Sequence, residues 1–334
     1  MIVDGHAPAG IARAVTALAA GELVGIPTET VYGLAADACN ERAVAKIFAA
    51  KGRPSDHPLI VHVVDADHVP QFASEVPPFA QRLIDAFWPG PLTLILPRRG
   101  DRGAAAAGGQ PSIGLRCPAH PVAHALLVAC ARATPAIAGI AAPSANKFGR
   151  VSPTTAEHVR SEFGDDLLVL DGGPCEIGIE STIVDCTRGE PVLLRPGVLT
   201  RDEVTAACGQ ALRLPHEMPD AAQPAPRASG TLESHYAPRA AVRLMEAAAL
   251  RAALQVLGSE APPIGVYART ALRSTAPGVV VRRMPQAPAE AARELFAVLR
   301  ELDDRGVQLI WVEAPPPGTA WDGVRDRLQR AAVR

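Results

Sequence analysis

Short apolar runs rich in β-branched residues recur between helix-periodic stretches from residue 8 to 208, and the same alternation resumes after residue 240. Strands separated by helices pair through crossover connections, so this pattern confines the chain to α/β architecture. Strands are expected near 23–26, 59–63, 92–96, 113–116, 137–141, 167–170, 182–185 and 192–194, with helices between them. Asn40 is placed to cap a helix that Gly52 ends. Thr154-x-x-Glu157 and Thr200-x-x-Glu203 match the reciprocal pattern that satisfies free amides at a helix start. Between 209 and 238 the alternation lapses, and prolines at 215, 219, 224, 226 and 238 mark an extended linker. Beyond it, strands near 242–245, 264–267, 279–282 and 309–312 interleave with helices near 247–257, 289–304 and 321–332. The expected organisation is an α/β domain over 1–208, a linker over 209–238 and a small Rossmann-like α/β domain over 239–334.

Composition excludes several functions. A formal net charge of -2 provides no broad positive field, so stable nucleic-acid binding is not expected and any anion site must be local. The six cysteines form no Cys-x-x-Cys pair, which argues against a zinc ribbon or dithiol motif and for free thiols in a reducing cytoplasm. The first 21 residues carry no basic leader, and charges or prolines interrupt every apolar run before the roughly 20 residues that cross a bilayer. The expected setting is cytoplasmic, without membrane contact.

The usual local signatures are missing: no Walker A, no Gly-x-Ser-x-Gly, no His-Glu-x-x-His, and no Gly-x-Gly-x-x-Gly after the first strand of the second lobe. His120 and His124 stand four apart with no third ligand, a spacing that suits structural histidines better than a metal site. What the chain does have is PTETVYG, KGRPSDHPL, SIGLRCP, APSANKFG, GIESTIVD and LRPG, all expected at strand ends. Loops from several strands converge there in open α/β sheets. Their cations are Lys51, Arg53, Arg116, Lys147 and Arg195, and lysine is rare here, with only Lys46 as the third. Gathered together, these groups would make a pocket for a triphosphate and a carboxylate, with Ser112, Ser144, Asn146, Ser152, Ser181 and Thr182 as neutral donors. Singly, each reads as a solvated loop residue; six such motifs together do not.

Jointly, TETVYGL, KGRPSDHPL, SIGLRCP, APSAN, GIESTIVD and LRPG resemble the YrdC-like family, and a second lobe after SHYAP is similar to its long, two-domain branch. The resemblance is strong from residue 2 to about 209 and weaker beyond. It implies a twisted mixed sheet with helices, and a concave cavity holding Lys51-Gly-Arg53 and Ser144-Ala-Asn146. The implied activity condenses L-threonine, bicarbonate and ATP, with Mg2+, into threonylcarbamoyl-adenylate, releases pyrophosphate, and feeds a downstream tRNA threonylcarbamoyl transferase complex. No enzyme nucleophile is needed, so Lys51 and Arg53 would act electrostatically, and no protein side chain is expected to ligate the metal. By the same resemblance Thr30, His62, Arg116 and Ser181 surround L-threonine, while Lys51, Arg53, His57, Ser112, Ser144, Asn146, Ser152, Arg195 and Tyr236 surround ATP. Tyr236 would reach in from a linker folded over the cavity as a lid. Two departures stand out: His57 replaces a common asparagine, and Ser229-Gly230 replaces a common Pro-Gly.

Two other readings share parts of this pattern. A double-stranded RNA-binding module is weakened by the -2 charge and the lack of interleaved aromatics. A carbamoyl-adenylate-forming carbamoyltransferase shares the cavity but usually carries zinc-binding cysteine pairs, which this chain lacks.

Overall fold

The computed structural model describes residues 1–218, 225–232, 234–258 and 261–333. Its first lobe contains strands β1 (Ile2–Asp4), β2 (Val24–Ile26), β3 (Gly33–Asp37), β4 (Ile60–His62), β5 (Leu92–Pro97), β6 (Ser112–Arg116), β7 (Ile140–Ala141), β8 (Leu168–Asp171), β9 (Thr182–Asp185) and β10 (Val192–Arg195). Interleaved are helices α1 (Pro8–Ala19), α2 (Glu41–Lys51), α3 (Pro78–Phe87), α4 (Pro121–Ala131), α5 (Ala156–Phe163) and α6 (Arg201–Cys208). The strands form one sheet in the order β1-β8-β2-β3-β7-β4-β6-β5-β9-β10. It is mixed: β4 and β6 are parallel, whereas β7 runs antiparallel to both β3 and β4. The second lobe contains β11 (Ala241–Met245), α7 (Ala247–Gln255), β12 (Ile264–Ala268), β13 (Val279–Arg283), α8 (Pro288–Asp304), β14 (Leu309–Glu313) and α9 (Asp322–Ala332). Its sheet, β11-β14-β12-β13, is parallel throughout.

Most expected strands and helices form within a few residues of their anticipated limits. The exceptions have local causes. β1 is only three residues long, and β3 (GLAAD) lacks β-branched side chains, so its pairing with β2 and β7 rather than its own propensity makes it a strand. Thr200 and Glu203 form the anticipated capping box, and Asn40 accepts from the Ala43 amide as an N-cap. The cap of α5, however, is Thr155, which accepts from His158 N; Thr154 is displaced one position and faces the His158 ring. His120 caps α4, its Nδ1 accepting from Val122 N. The linker prolines at 219 and 224 lie outside the described residues.

One face of the large sheet packs Leu34, Leu94 and Leu115 against Ile47 of α2 and Leu83 of α3. The other packs Ile26 and Leu170 against Leu18 of α1 and Leu126 of α4. A third core crosses between lobes: Val31, Val151 and Ile179 of the first pack with Phe296 and Leu299 of α8 and Leu328 of α9. Burial of this kind stabilises by about 25 cal/mol per Å² of apolar surface, so the lobes form one packed body through their shared core. Among the described residues no helix is long and apolar enough to cross a membrane.

Candidate active site

The loop after β2 turns back on itself because Thr28 Oγ1 donates to Val31 O (2.6 Å) and meets Thr30 Oγ1 at 2.9 Å. This brings Thr30 toward the ends of β4 and β6, where His62 and Arg116 are register partners. Ser144 follows β7 and bridges to Gly33; Ser181 precedes β9, its Oγ 2.7 Å from Thr93 Oγ1. Arg195 ends β10, and Ser229, Gly230, His235 and Tyr236 of the linker close the opposite side. A cavity of about 30 Å³ results, lined by Thr30, His62, Arg116, Ser144, Glu180, Ser181, Arg195, Ser229, Gly230, His235 and Tyr236. Thus Thr30, His62, Arg116 and Ser181 all line one hollow, together with Ser144, Arg195 and Tyr236. Ser112 lines an adjoining slot of about 10 Å³ with Ile60, Ile95, Ile183 and Ser229; Ile60 and Ser229 belong to both spaces.

Lys51, Arg53, His57, Asn146 and Ser152 do not line either space, and each is positioned nearby by specific bonds. Lys51, the last residue of α2, donates to Ser144 O and Asn146 O, both at 2.6 Å, so it ties the two motifs Lys51-Gly-Arg53 and Ser144-Ala-Asn146 together. Arg53 donates to Pro58 O (2.8 Å) and Ser229 Oγ (3.3 Å). That second bond uses the hydroxyl at one of the two departures noted above, where a proline would offer none. Asn146 Nδ2 donates to the Lys147 and Arg150 carbonyls, and Ser152 donates to Glu180. His57 is half-buried, edge-on to Phe148 at 5.6 Å. The other lysines have structural work: Lys46 pairs with Glu22 at 2.8 Å, and Lys147 donates to Ala50 O at the end of α2.

Electrostatics distinguish these cations. Arg116 is neutralised within the site, donating to Glu29 Oε1 (2.6 Å) and to Thr30 Oγ1 (2.9 Å). Burial pushes the Glu29 carboxyl up, but the Arg116 charge and hydrogen bond outweigh it and hold it below the usual range. Lys51, Arg53 and Arg195 donate only to carbonyls and hydroxyls; among the described residues none of the three meets a carboxylate. Burial, with repulsion from Arg53, brings the Lys51 ammonium well below its ordinary pKa; burial, offset by Tyr236 and aided by Arg195, lowers Arg53 to about 10. Arg53 thus disfavours the charge on Lys51, and Arg195 that on Arg53, an arrangement that negative charge would stabilise. His62, by burial and then by Arg116, falls to about 3, and is a neutral imidazole at physiological pH.

Unsatisfied polar atoms concentrate here as well. Nine buried side-chain nitrogen or oxygen atoms among the described residues have no hydrogen-bond partner, and six belong to Glu29, Arg53, His62, Asn146, His235 and Tyr236. Buried polar groups are nearly always paired in folded proteins, so such a cluster marks a place built for a ligand. Tyr236 also adopts φ 61°, a left-handed conformation that costs a non-glycine residue about 1–2 kcal/mol and must be held by its surroundings. Gly230 is required opposite it: a Cβ there would lie 2.3 Å from the Tyr236 hydroxyl.

Sequence reasoning missed Glu180, His235 and Ser229 as cavity residues. Glu180 lies inside the quoted GIESTIVD and His235 inside SHYAP, so the motifs contained the signal without saying which side chain faces inward.

Fold and site together define an α/β protein that gathers buried cationic side chains beyond the ends of its strands, beneath residues contributed by the interlobe linker. Residues 16–197 match the family model named for Sua5, YciO and YrdC and described as telomere recombination, and residues 199–333 match the threonylcarbamoyl-AMP synthase C-terminal domain. The chain is 38% identical to the threonylcarbamoyl-AMP synthase of Pyrococcus abyssi over 93% of this chain and 91% of that one, and 37% identical to that of Bacillus subtilis over 96% and 92%. In structure it resembles P. abyssi Sua5 complexed with L-threonine, at TM-score 0.84 and 36% identity, covering 96% of this chain and 94% of that one. The chain belongs to the Sua5, YciO and YrdC family, in its two-domain threonylcarbamoyl-AMP synthase branch.

Proposed function

We propose that the chain condenses L-threonine, bicarbonate or CO2, and ATP into L-threonylcarbamoyl-AMP with release of pyrophosphate, for tRNA threonylcarbamoyl-adenosine modification. The observation that carries this reading is the convergence of buried Lys51, Arg53 and Arg195, lacking carboxylate partners, beside a cavity that also presents Arg116 and Thr30. The threonine amine adds to CO2 and loses a proton, giving a carbamate; a carbamate oxygen attacks the α-phosphorus, and the α–β bridging oxygen leaves with pyrophosphate. The protein's task is to position two anions, offset phosphate charge and exclude water from a labile carbamate and a mixed anhydride.

In this scheme the threonine carboxylate lies on Arg116, whose bonds to Gly90 O, Thr30 and Glu29 leave two guanidinium hydrogens for it, with Thr30, His62 and Ser181 around the amino acid. Neutral His62 can approach the amino acid without adding charge. The triphosphate takes Lys51, Arg53 and Arg195, with Ser144, Asn146, Ser152 and His57 nearby, and the nucleoside extends toward Ser112 and its isoleucine neighbours. Tyr236 closes the cavity over it. Use of ATP is consistent with a divalent metal, which we take to be Mg2+. Among the described residues no three His, Cys, Asp or Glu side chains group to hold a metal, and Glu29 and Glu180 are engaged by arginines. This donor set fits an ion that arrives on the phosphates, where it would offset their charge. The six free thiols support a cytoplasmic setting, with a downstream tRNA threonylcarbamoyl transferase complex as the consumer of the product.

The test is pyrophosphate release with threonine, bicarbonate or ATP omitted in turn. All three should be required; release with carbamoyl phosphate replacing threonine and bicarbonate would favour the carbamoyltransferase reading instead.

A further inference from the structure

Resting on that functional reading, we propose that Arg327 of the second lobe is a positioning residue of the active site: it holds Glu180 away from the triphosphate-binding cations and fixes Tyr236 over the cavity. Arg327 lies on α9 and is completely buried. The helix can approach because Gly323 abuts the LRPG loop, where a Cβ would fall 2.4 Å from Gly197 O. Every side of the guanidinium is engaged. Nε donates to Glu180 Oε2 (2.8 Å), Nη2 to Glu180 O (3.1 Å), and Nη1 to Pro196 O (2.7 Å) and Asp326 Oδ2 (2.8 Å). Its Cζ stands 5.3 Å from the Tyr236 ring centroid, within cation–π range. Arg327 does not line the cavity and commits four of its five N–H groups to Glu180, Pro196 and Asp326, so it is placed to orient neighbours and not to grip phosphate.

Glu180 is the reason this matters. It lines the cavity, and its second oxygen accepts from Ser152. Burial favours its neutral form, but Arg327 and then Arg195 hold it ionised. Freed from Arg327, that carboxylate would turn to the nearest uncommitted cations and occupy the charge that a triphosphate needs. The same helix turn also secures the linker: Arg330 Nη1 donates to Leu232 O, and His235 N donates to Arg330 O at 3.2 Å. The carboxy-terminal lobe thereby braces the lining of the site from behind.

The test measures ATP affinity by titration calorimetry on full-length chains whose melting confirms folding, so it does not depend on turnover. Arg327→Gln should weaken ATP binding on the order of tenfold, and Arg327→Gln combined with Glu180→Gln should recover most of that loss, because no carboxylate remains to compete. Arg293→Ala, which removes an interlobe hydrogen bond to Glu176 O but no bond to Glu180 or Tyr236, should bind ATP as the unsubstituted chain does. Folded Arg327→Gln with unchanged affinity, or a double variant as weak as the single one, overturns the proposal. Should Arg327→Gln not fold, Arg327→Lys carries the same test: one ammonium cannot reproduce the Glu180 and Pro196 bonds together, and unchanged affinity there is equally fatal. An unsubstituted chain that binds ATP but releases no pyrophosphate with threonine and bicarbonate would instead sink the functional reading.

Discussion

The two lobes share one construction and differ in how they treat charge. Each is an α/β sheet with side chains clustered beyond strand ends. In the second lobe these charges are met at home: Arg269 by Glu313 at 2.9 Å, Arg282 by Glu301 at 2.9 Å, and the Tyr267 hydroxyl by Glu294 at 2.9 Å. In the first, Lys51, Arg53 and Arg195 are buried among carbonyls and hydroxyls, and the carboxylates nearby, Glu29 and Glu180, are taken by Arg116 and Arg327. Fold class is therefore uninformative about which lobe binds; uncompensated buried charge is what singles out the first lobe for the proposed role, because a ligand would supply the missing partner.

The sharpest break of this contrast is Arg53→Ala or Arg116→Ala. Each should reduce pyrophosphate release about 10²–10³-fold, the usual consequence of deleting one preorganised charge contact; wild-type turnover would contradict the assigned roles. Arg269→Ala should do the reverse. It leaves buried Glu313 without its cation and should cost on the order of 2–4 kcal/mol in urea unfolding, with turnover within about twofold of the parent; a large activity loss would erase the distinction between lobes.

Acid sensitivity should also belong to the first lobe, since the chain has no histidine beyond His235. His62 has a folded pKa of about 3, below its unfolded value near 6.5, so the unfolded state binds the extra proton between those limits and stability falls as pH falls through them. The slope from this group approaches about 1.4 kcal/mol per pH unit, and His62→Gln should flatten it in denaturation midpoints taken from pH 6.5 to 4. The smallest effect is local: Thr200→Ala removes the capping box of α6 and should lower stability by about 1 kcal/mol without changing ATP affinity.

Much of this molecule was legible from residue order. The 3.6 and 2.0 periodicities located most elements, because each reports which face of a helix or strand avoids water. Short-range chemistry was equally readable where both partners lie within one turn, as with Asn40, Gly52, Thr200 and Glu203. It misled by one residue where two adjacent threonines competed for the start of α5. β3 was invisible, since its five residues have little strand preference and owe their conformation to neighbours more than 100 positions away as well as to β2.

For the site, sequence alone determined which residue types were available and in which motifs: the lysines and arginines, the hydroxyls of PSAN and ESTIVD, and the tyrosine of the linker. Only the tertiary structure decided which of them face one hollow, which cations lack a carboxylate, and that an arginine 147 residues from Glu180 is its partner. The physical reason is range. Capping and amphipathicity are set by neighbours along the chain, whereas burial and Coulomb pairing depend on distances that exist only after the two lobes have packed.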